Sequence, residues 1–253
     1  MYRIIDTHAH LEEVDDLDQS LKRAEKAGVT AIITMGSDYQ SNKWVLRISE
    51  RRRSGKVKLY AALGLHPWGL ETSKIDLTLN FIQENIKRAV GVGEIGLDYW
   101  LRDVRKDMEK KNIQKAVFRR LLEIARDHEK PVSIHSRGAW EDSLEMVREV
   151  GVKRAVFHWF SGPKKVLEGL LKENHFVSAT PAAAYSREHR EAIQITPLQR
   201  ILLETDSPVK YRGEVSEPAH ILKSLEAVAE LKAVDKEMVA NQTTKNAKNL
   251  FKI

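Results

Sequence analysis

Short runs of β-branched and apolar residues recur along the chain and alternate with longer, charged stretches in which apolar residues return every three or four positions. Runs of the first kind are typical of buried strands, and stretches of the second kind are typical of amphipathic helices. Strands are predicted at Arg3–Asp6, Thr30–Met35, Lys58–Leu63, Ala89–Gly93, Val132–Ile134, Ala155–Phe157, His175–Ser178 and Ile201–Leu203. Helices are predicted for the stretches between them, such as Asp18–Ala27, Lys43–Arg53, Leu77–Lys87, Asn112–Asp127, Asp142–Val150 and Lys164–Lys172.

This alternation predicts parallel βα units, and about eight of them in 253 residues fit an α/β fold of the (β/α)8 TIM-barrel type. The main alternative is an open doubly wound sheet. Such a sheet normally carries a Gly-rich phosphate loop after its first strand, where this chain has Asp6-Thr7-His8-Ala9-His10. No linker divides the sequence, so we expect a single domain over residues 1–253, with Glu217–Ile253 forming two further helices that close it.

The composition narrows the possible chemistry. Cysteine is absent, which excludes disulfides, thiolate metal sites and cysteine nucleophiles. A formal net charge of +6 suits a polyanionic substrate, although 31% charged residues are also typical of proteins from hot environments. Neither a signal-length apolar stretch at the N-terminus nor a run approaching about 18 apolar residues is present, so we expect a soluble, cytoplasmic protein without membrane contact.

Two histidines mark the end of the first predicted strand. His8 and His10 are separated by one residue, and residues i and i+2 of an extended segment point to the same side. Both imidazoles can therefore approach one metal ion. An isolated pair of this kind is equally consistent with two polar residues where a strand leaves the sheet.

Four further candidate ligands also stand at the ends of predicted strands. Glu94, His135, His158 and Asp206 each stand at the end of a predicted strand, on the face where TIM barrels carry their active sites. Four imidazoles and two carboxylates exceed the needs of one tetrahedral ion. Two ions bridged by one carboxylate would use them all, an arrangement suited to in-line displacement at phosphorus.

The sequence also carries ordered motifs of a known family. They are Asp6-Thr7-His8-Ala9-His10-Leu11, Gly64-Leu65-His66-Pro67, Gly93-Glu94-Ile95-Gly96-Leu97-Asp98-Tyr99, His135-Ser136-Arg137, His158-Trp159-Phe160-Ser161-Gly162 and Glu204-Thr205-Asp206-Ser207-Pro208. The chain thereby resembles the TatD family of metal-dependent deoxyribonucleases from Asp6 to Phe251. Between Ser178 and Thr196 it follows the family pattern only loosely.

The resemblance implies an amidohydrolase-type barrel with two divalent metal ions, of magnesium, manganese or zinc. The implied roles are His8 and His10 on one ion, His135 and His158 on the other, Glu94 as the bridge, and Asp206 on the first ion orienting the attacking water. Glu94 and Asp206 are thus the expected catalytic residues. The implied reaction is hydrolysis of DNA phosphodiesters, as a 3′–5′ exonuclease on single-stranded ends with a place in DNA repair.

Three more residues are candidates for substrate binding. His66 and Arg137 lie close in sequence to the strand ends and can donate hydrogen bonds to a phosphate. Asp98, in the motif that begins at Gly93, is the third candidate. For Trp100 and Trp159 we expect packing at the barrel mouth rather than stacking on bases.

Two other functions fit the same residues. One is an amide or ester hydrolase of the wider amidohydrolase superfamily, with aminoacylated RNA among its candidate substrates. The other is a basic nucleic-acid-binding barrel with structural ions, which the open coordination positions of the expected ligand set disfavour. DNA is the expected partner, without an obligate protein partner and as a monomer by default.

Overall fold

The computed structural model describes residues 2–52, 54–68 and 70–253. Its main sheet has eight parallel strands that neighbour one another in chain order. They are β1 Ile4–Ala9, β2 Val29–Met35, β3 Lys58–Leu65, β4 Gly91–Gly96, β5 Val132–His135, β6 Ala155–Phe157, β7 Phe176–Ala179 and β8 Ile201–Leu203. A parallel bridge between Ala9 and Ser207 joins the last strand to the first. The predicted TIM barrel is confirmed.

Helices alternate with these strands. They are α1 Leu17–Lys26, α2 Tyr39–Arg51, α3 Thr72–Asn85, α4 Met108–Asp127, α5 Trp140–Val150, α6 Lys164–Lys172, α7 Arg187–Ile195, α8 Ile221–Lys232 and α9 Lys236–Phe251. Aspartates fix the starts of several: the side chains of Asp16, Asp38 and Asp107 accept hydrogen bonds from backbone N–H groups of the first turns of α1, α2 and α4. Between β8 and α8 runs a short antiparallel hairpin of β9 Lys210–Tyr211 and β10 Glu214–Val215.

The last helix covers the N-terminal end of the barrel. Phe251, which is 3% exposed, belongs to the inner barrel core together with Ile5, Ile33 and Leu202. Hydrogen bonds hold the helix there, among them one of 2.7 Å from Thr244 Oγ1 to the carbonyl oxygen of the residue before β1. One end of the barrel is therefore closed by α9, while the C-terminal ends of the strands face an open cavity.

The sequence pattern gave no bounds for α7, Arg187–Ile195, and it placed several strand ends too early. Predicted strands ending at Asp6 and Gly93 continue in the structure to Ala9 and Gly96. Among the described residues, no helix is long and apolar enough to cross a membrane.

Candidate metal centre

Glu94 stands at the centre of the site. It belongs to β4 and is 2% exposed. The neighbouring strand approaches it closely because residue 64 lacks a side chain: a Cβ on Gly64 would lie 2.3 Å from the Glu94 carbonyl oxygen. The carboxylate is thus held inside the barrel mouth with its two oxygens directed at different groups of imidazoles.

One oxygen of Glu94 faces the histidines of β1. Its Oε2 lies 3.1 Å from His10 Nε2 and 3.3 Å from His8 Nε2. The two Nε2 atoms are 3.4 Å apart, as expected when residues i and i+2 share one side of a strand. Asp206 Oδ1 completes this group at 3.7 Å from His8 Nε2 and 3.8 Å from His10 Nε2. We refer to His8, His10 and Asp206 with Glu94 Oε2 as group A.

The other oxygen of Glu94 faces imidazoles from three different strand ends. Its Oε1 lies 2.8 Å from His158 Nε2, 2.9 Å from His135 Nδ1 and 3.1 Å from His66 Nε2. His158 Nε2 and His135 Nδ1 are themselves 3.4 Å apart. We refer to His135 and His158 with Glu94 Oε1 as group B.

Glu94 and the surrounding imidazoles shift one another's pKa values. Burial opposes ionisation of Glu94, but the surrounding imidazoles, His66 and His158 foremost, hold the pKa of its carboxyl well below its ordinary value. Burial likewise opposes charging of His10, yet the hydrogen bond and charge of Glu94 raise its pKa to about 9. The barrel mouth therefore keeps an ionised carboxylate among groups that attract it, and it favours positive charge beside that carboxylate.

Groups behind the imidazoles set their orientation. Ser133 Oγ lies 3.1 Å from His8 Nδ1, and Asp98 Oδ2 lies 2.8 Å from His135 Nε2. Glu204 Oε1 lies 3.5 Å from His158 Nδ1. A carboxylate on the far nitrogen of an imidazole fixes the ring and increases the basicity of its other nitrogen, a common arrangement behind metal ligands.

His66 differs from the other histidines in its hydrogen bonding. Its Nδ1 accepts the backbone N–H of Trp68 at 3.1 Å, so the neutral ring carries its proton on Nε2. Burial lowers the pKa of His66 to about 4 and so favours this neutral form. Its Nε2–H is a donor directed into the mouth, suited to an acceptor such as Glu94 or a substrate oxygen.

The residues present fit divalent metal ions. Sets of ligand atoms within 4.8 Å of one another comprise His8 with His10 and Glu94, His66 with Glu94 and His135, and His8 with His158 and Glu204. Buried polar atoms without a hydrogen-bond partner among the described residues include His10 Nδ1 and Glu204 Oε2. Imidazole nitrogens and carboxylate oxygens converging at 2.8–3.8 Å form a donor set that transition-metal ions favour.

The structure brings together all six residues predicted as ligands. His66 and Arg137 line the cavity beside them, whereas Asp98 lies buried behind His135, with Arg137 Nε 2.9 Å from Asp98 Oδ2. Sequence reasoning assigned no role to Ser133, Trp68 or Glu204. Only Glu204 lay within a recognised motif, two residues before Asp206; a serine inside a strand and a tryptophan after His66-Pro67 carry no signal of their own.

Comparisons with known proteins agree with this geometry. Residues 5–252 match the family model described as TatD related DNase. The chain is 33% identical to the metal-dependent hydrolase YabD of Bacillus subtilis, with 99% of each chain covered. It is 30% identical to the human deoxyribonuclease TATDN3, covering 98% of this chain and 94% of the relative.

A solved structure extends the match to three dimensions. The crystal structure of the TatD homologue YJJV from Escherichia coli superposes with a TM-score of 0.88 at 27% identity, covering 99% of this chain and 98% of that one. A match over nearly the whole chain, together with an imidazole and carboxylate cluster at the barrel mouth, leads to one conclusion. The chain belongs to the TatD family of metal-dependent hydrolases.

Proposed function

We propose that this protein hydrolyses phosphodiester bonds of DNA with two divalent metal ions. The observation that supports this most directly is that the two carboxylate oxygens of Glu94 face different ligands: Oε2 faces the histidines of group A, and Oε1 faces those of group B. A carboxylate placed in this way can bridge two cations, and two bridged cations suit displacement at phosphorus. The relatives named as deoxyribonucleases support DNA as the substrate class.

We assign the first ion to group A and the second ion to group B. When bound, such ions polarise a phosphoryl oxygen and lower the pKa of a water molecule. The protein supplies the positions: β1 presents two imidazoles on one side, β4 and the ends of β5 and β6 supply Glu94 and two further imidazoles, and Asp206 follows β8.

Asp206 is the residue we assign to proton transfer. It lies just after β8 with its backbone N–H bonded to the carbonyl oxygen of His8 at 2.9 Å. Its φ of 50° is in the left-handed region, a conformation that costs free energy and is concentrated at functional sites. Only 6% exposed and next to both β1 imidazoles, its carboxylate can accept the proton that an attacking water releases.

Two donors are placed to receive the phosphate. His66 Nε2–H points into the mouth, and Arg137, whose side chain is 42% exposed, lies at its edge. Arg137 uses Nε on Asp98, which leaves its terminal nitrogens for a phosphate oxygen. Asp98 is fully buried and bonded to His135 and Arg137, so we assign it to positioning both groups rather than to contact with substrate.

The shape of the site supports action on strand ends. The ligands lie at the floor of a cavity of about 1510 Å³, and α9 closes the opposite end of the barrel. A concave pit admits a single-stranded terminus more easily than the middle of a duplex. The 3′ to 5′ direction follows the family resemblance and belongs to the same proposal.

A direct assay tests this function. The purified protein is incubated with single-stranded oligonucleotides labelled at either end, with magnesium, manganese or zinc and with a chelator, and products are resolved by length. We expect divalent-dependent shortening from the 3′ end that Asp206→Asn removes. Turnover of activated esters, amides or aminoacylated RNA without cleavage of DNA would contradict the proposal and favour the amidohydrolase alternative.

A further inference from the structure

A cluster of tryptophans lines the cavity beside the metal centre. Trp68 is 51% exposed and Trp100 is 59% exposed, both unusually high for indole side chains. Trp140 adds a partly buried third ring, 5.5 Å from Trp100 with the ring planes at 88°. The packing that we expected for Trp100 from the sequence therefore leaves most of its surface open to the cavity.

These rings are held in place by the protein. Trp68 donates its Nε1–H to Asp98 Oδ2 at 2.6 Å, and the Trp100 backbone N–H bonds Asp98 Oδ1 at 3.0 Å. The Trp100 indole lies against Gly138, where a Cβ would come within 2.3 Å of its ring and where φ is +70°. The indoles thus have fixed positions before any ligand binds, which reduces the entropy lost on binding.

The cluster is continuous with the proposed phosphate site. Arg137 Cζ lies 5.3 Å from the centre of the Trp68 ring, and the Trp68 ring centre lies 5.9 Å from that of His135. A group bound on the exposed indoles is therefore a neighbour of a group bound at the ions. Exposed flat aromatic surface beside a guanidinium is the combination with which proteins bind single-stranded nucleic acid.

The charges on the opposite side of the cavity also favour a strand that runs over the tryptophans. There α7 contributes Glu188 and Glu191, both exposed. Glu191 is paired with Arg187 at 3.0 Å, so the Glu188 carboxylate is the group that repels a phosphate backbone, whereas the tryptophan side offers Arg137. A strand whose terminal phosphodiester lies at the ions is thus directed over the indoles.

We propose that Trp68 and Trp100 form a stacking subsite for the nucleobases next to the phosphodiester that is cut, so that the enzyme requires bases, though no particular sequence, at these positions. This inference rests on the proposed hydrolysis of DNA. Every base has an aromatic face, and a subsite of this kind selects single strands because the bases of a duplex are already stacked on one another.

The experiment compares a thymidine hexamer with hexamers in which the two nucleotides at the cleaved end carry abasic tetrahydrofuran in place of the base. The wild-type protein, Trp100→Ala, Trp100→Phe and the exposed control Met238→Ala on α9 are assayed for kcat and KM. We expect the wild type and the control to cut the abasic hexamer with a KM at least about 30-fold higher, the lower end for the loss of two stacked bases. Trp100→Ala should show part of that rise in KM on the normal hexamer and a correspondingly smaller further rise on the abasic one, because Trp68 still stacks, and Trp100→Phe should restore the full difference.

Each alternative result has a distinct meaning. If the Trp100 indole only packs against Trp140 and Gly138, Trp100→Ala lowers turnover of both hexamers by the same factor, and the subsite is overturned. Equal KM of the wild type for both hexamers also overturns it, while leaving hydrolysis of DNA intact. If the wild type cuts no hexamer with any divalent ion, the proposed function itself has failed.

Discussion

Asp98 Oδ2 lies 2.8 Å from Nε2 of His135, whose Nδ1 lies 2.9 Å from Glu94 Oε1. The same Asp98 oxygen also accepts hydrogen bonds from Trp68 and Arg137. One buried carboxylate therefore fixes a proposed metal ligand, a proposed phosphate donor and a ring of the tryptophan cluster. This relationship connects the chemistry of the site with the binding of its substrate.

Replacing Asp98 with Asn should weaken the metal site without unfolding the protein. The amide cannot balance the charge of an imidazole as a carboxylate does, so His135 becomes a poorer ligand. We expect a 10- to 100-fold loss in affinity for the divalent ion or in kcat. Calorimetric titration with the ion measures the affinity, and Asp103→Asn, at an exposed loop position, is the matched control that should leave it unchanged.

Removing metal should lower the stability of the wild type. A ligand that binds only the folded state at 100 times its dissociation constant contributes about 2.7 kcal/mol to the free energy of unfolding. We therefore expect a chelator to lower Tm and a divalent ion to restore it. Glu94→Gln should abolish this metal-dependent shift, because Glu94 is proposed to bind both ions; a full shift in that variant would contradict the bridging role.

Asp206→Asn should separate binding from turnover. Its neighbours His8, His10 and Glu94 still offer ligands to the first ion, so most of the metal-dependent rise in Tm should remain. Loss of the proton acceptor should lower kcat about 10²- to 10⁴-fold. Thermal unfolding with and without metal, together with kcat on an oligonucleotide, tests this; an unchanged kcat would exclude Asp206 as the base.

His189 should make the protein sensitive to acid. Its buried ring lies 2.9 Å from the Phe160 carbonyl oxygen through Nδ1 and accepts the Thr180 N–H through Nε2 at 3.2 Å, so the neutral form satisfies both nitrogens. Burial lowers its pKa to about 4 from 6.5. Because the unfolded chain binds the proton more readily, the contribution of His189 to stability is fully present above pH 6.5 and is lost as the pH falls towards 4.

The loss at His189 should amount to about 3 kcal/mol, at 1.36 kcal/mol per pKa unit. His189→Gln should flatten the dependence of the free energy of unfolding on pH between 6.5 and 4, measured by urea titration at several pH values. His128→Gln, at the end of α4, is the control. A parallel decline in wild type and His189→Gln would show that other groups govern the acid sensitivity.

Phe251→Ala should lower stability but leave the metal centre intact. The ring is buried in the inner barrel core, and truncating a buried Phe costs about 3–5 kcal/mol. It lies at the end of the barrel opposite the ligands, so ion affinity should stay at the wild-type value. Urea unfolding and ion titration measure the two quantities, with the exposed Met238→Ala as reference; a parallel loss of ion affinity would show that the two ends are coupled.

The sequence was sufficient for most of the fold because strand and helix patterns have different periods. The strands Ala155–Phe157 and Ile201–Leu203 were predicted with their observed bounds. The ends of β1 and β4 were each placed three residues too early because His8 and Glu94, polar yet buried, interrupt the apolar pattern on which strand prediction depends. In α7 the chain is highly charged, and its buried face is built from only a few residues, His189 among them.

The site was predictable only in part. Histidine and carboxylate side chains at strand ends can be recognised from the sequence as candidate ligands, because the topology of a barrel brings strand ends together. The positions of Asp98 and Trp68 depend instead on loops whose course is set by contacts far apart in sequence, such as Gln114 Nε2 on the Pro67 carbonyl oxygen at 3.1 Å. No periodicity in the sequence encodes such a contact. The roles of Asp98 and Trp68 can therefore be recognised only in the three-dimensional structure.

The packed interior of the barrel, capped by α9, constrains how the proposed enzyme can work through a strand. With one end sealed, the freed nucleotide and the shortened strand share a single exit. The strand must therefore shift or withdraw before the small product escapes and the next linkage reaches the ions. We therefore expect the proposed enzyme to remove a few nucleotides per encounter and then to exchange substrates, in contrast to a nuclease with a through-channel that degrades long strands without dissociating.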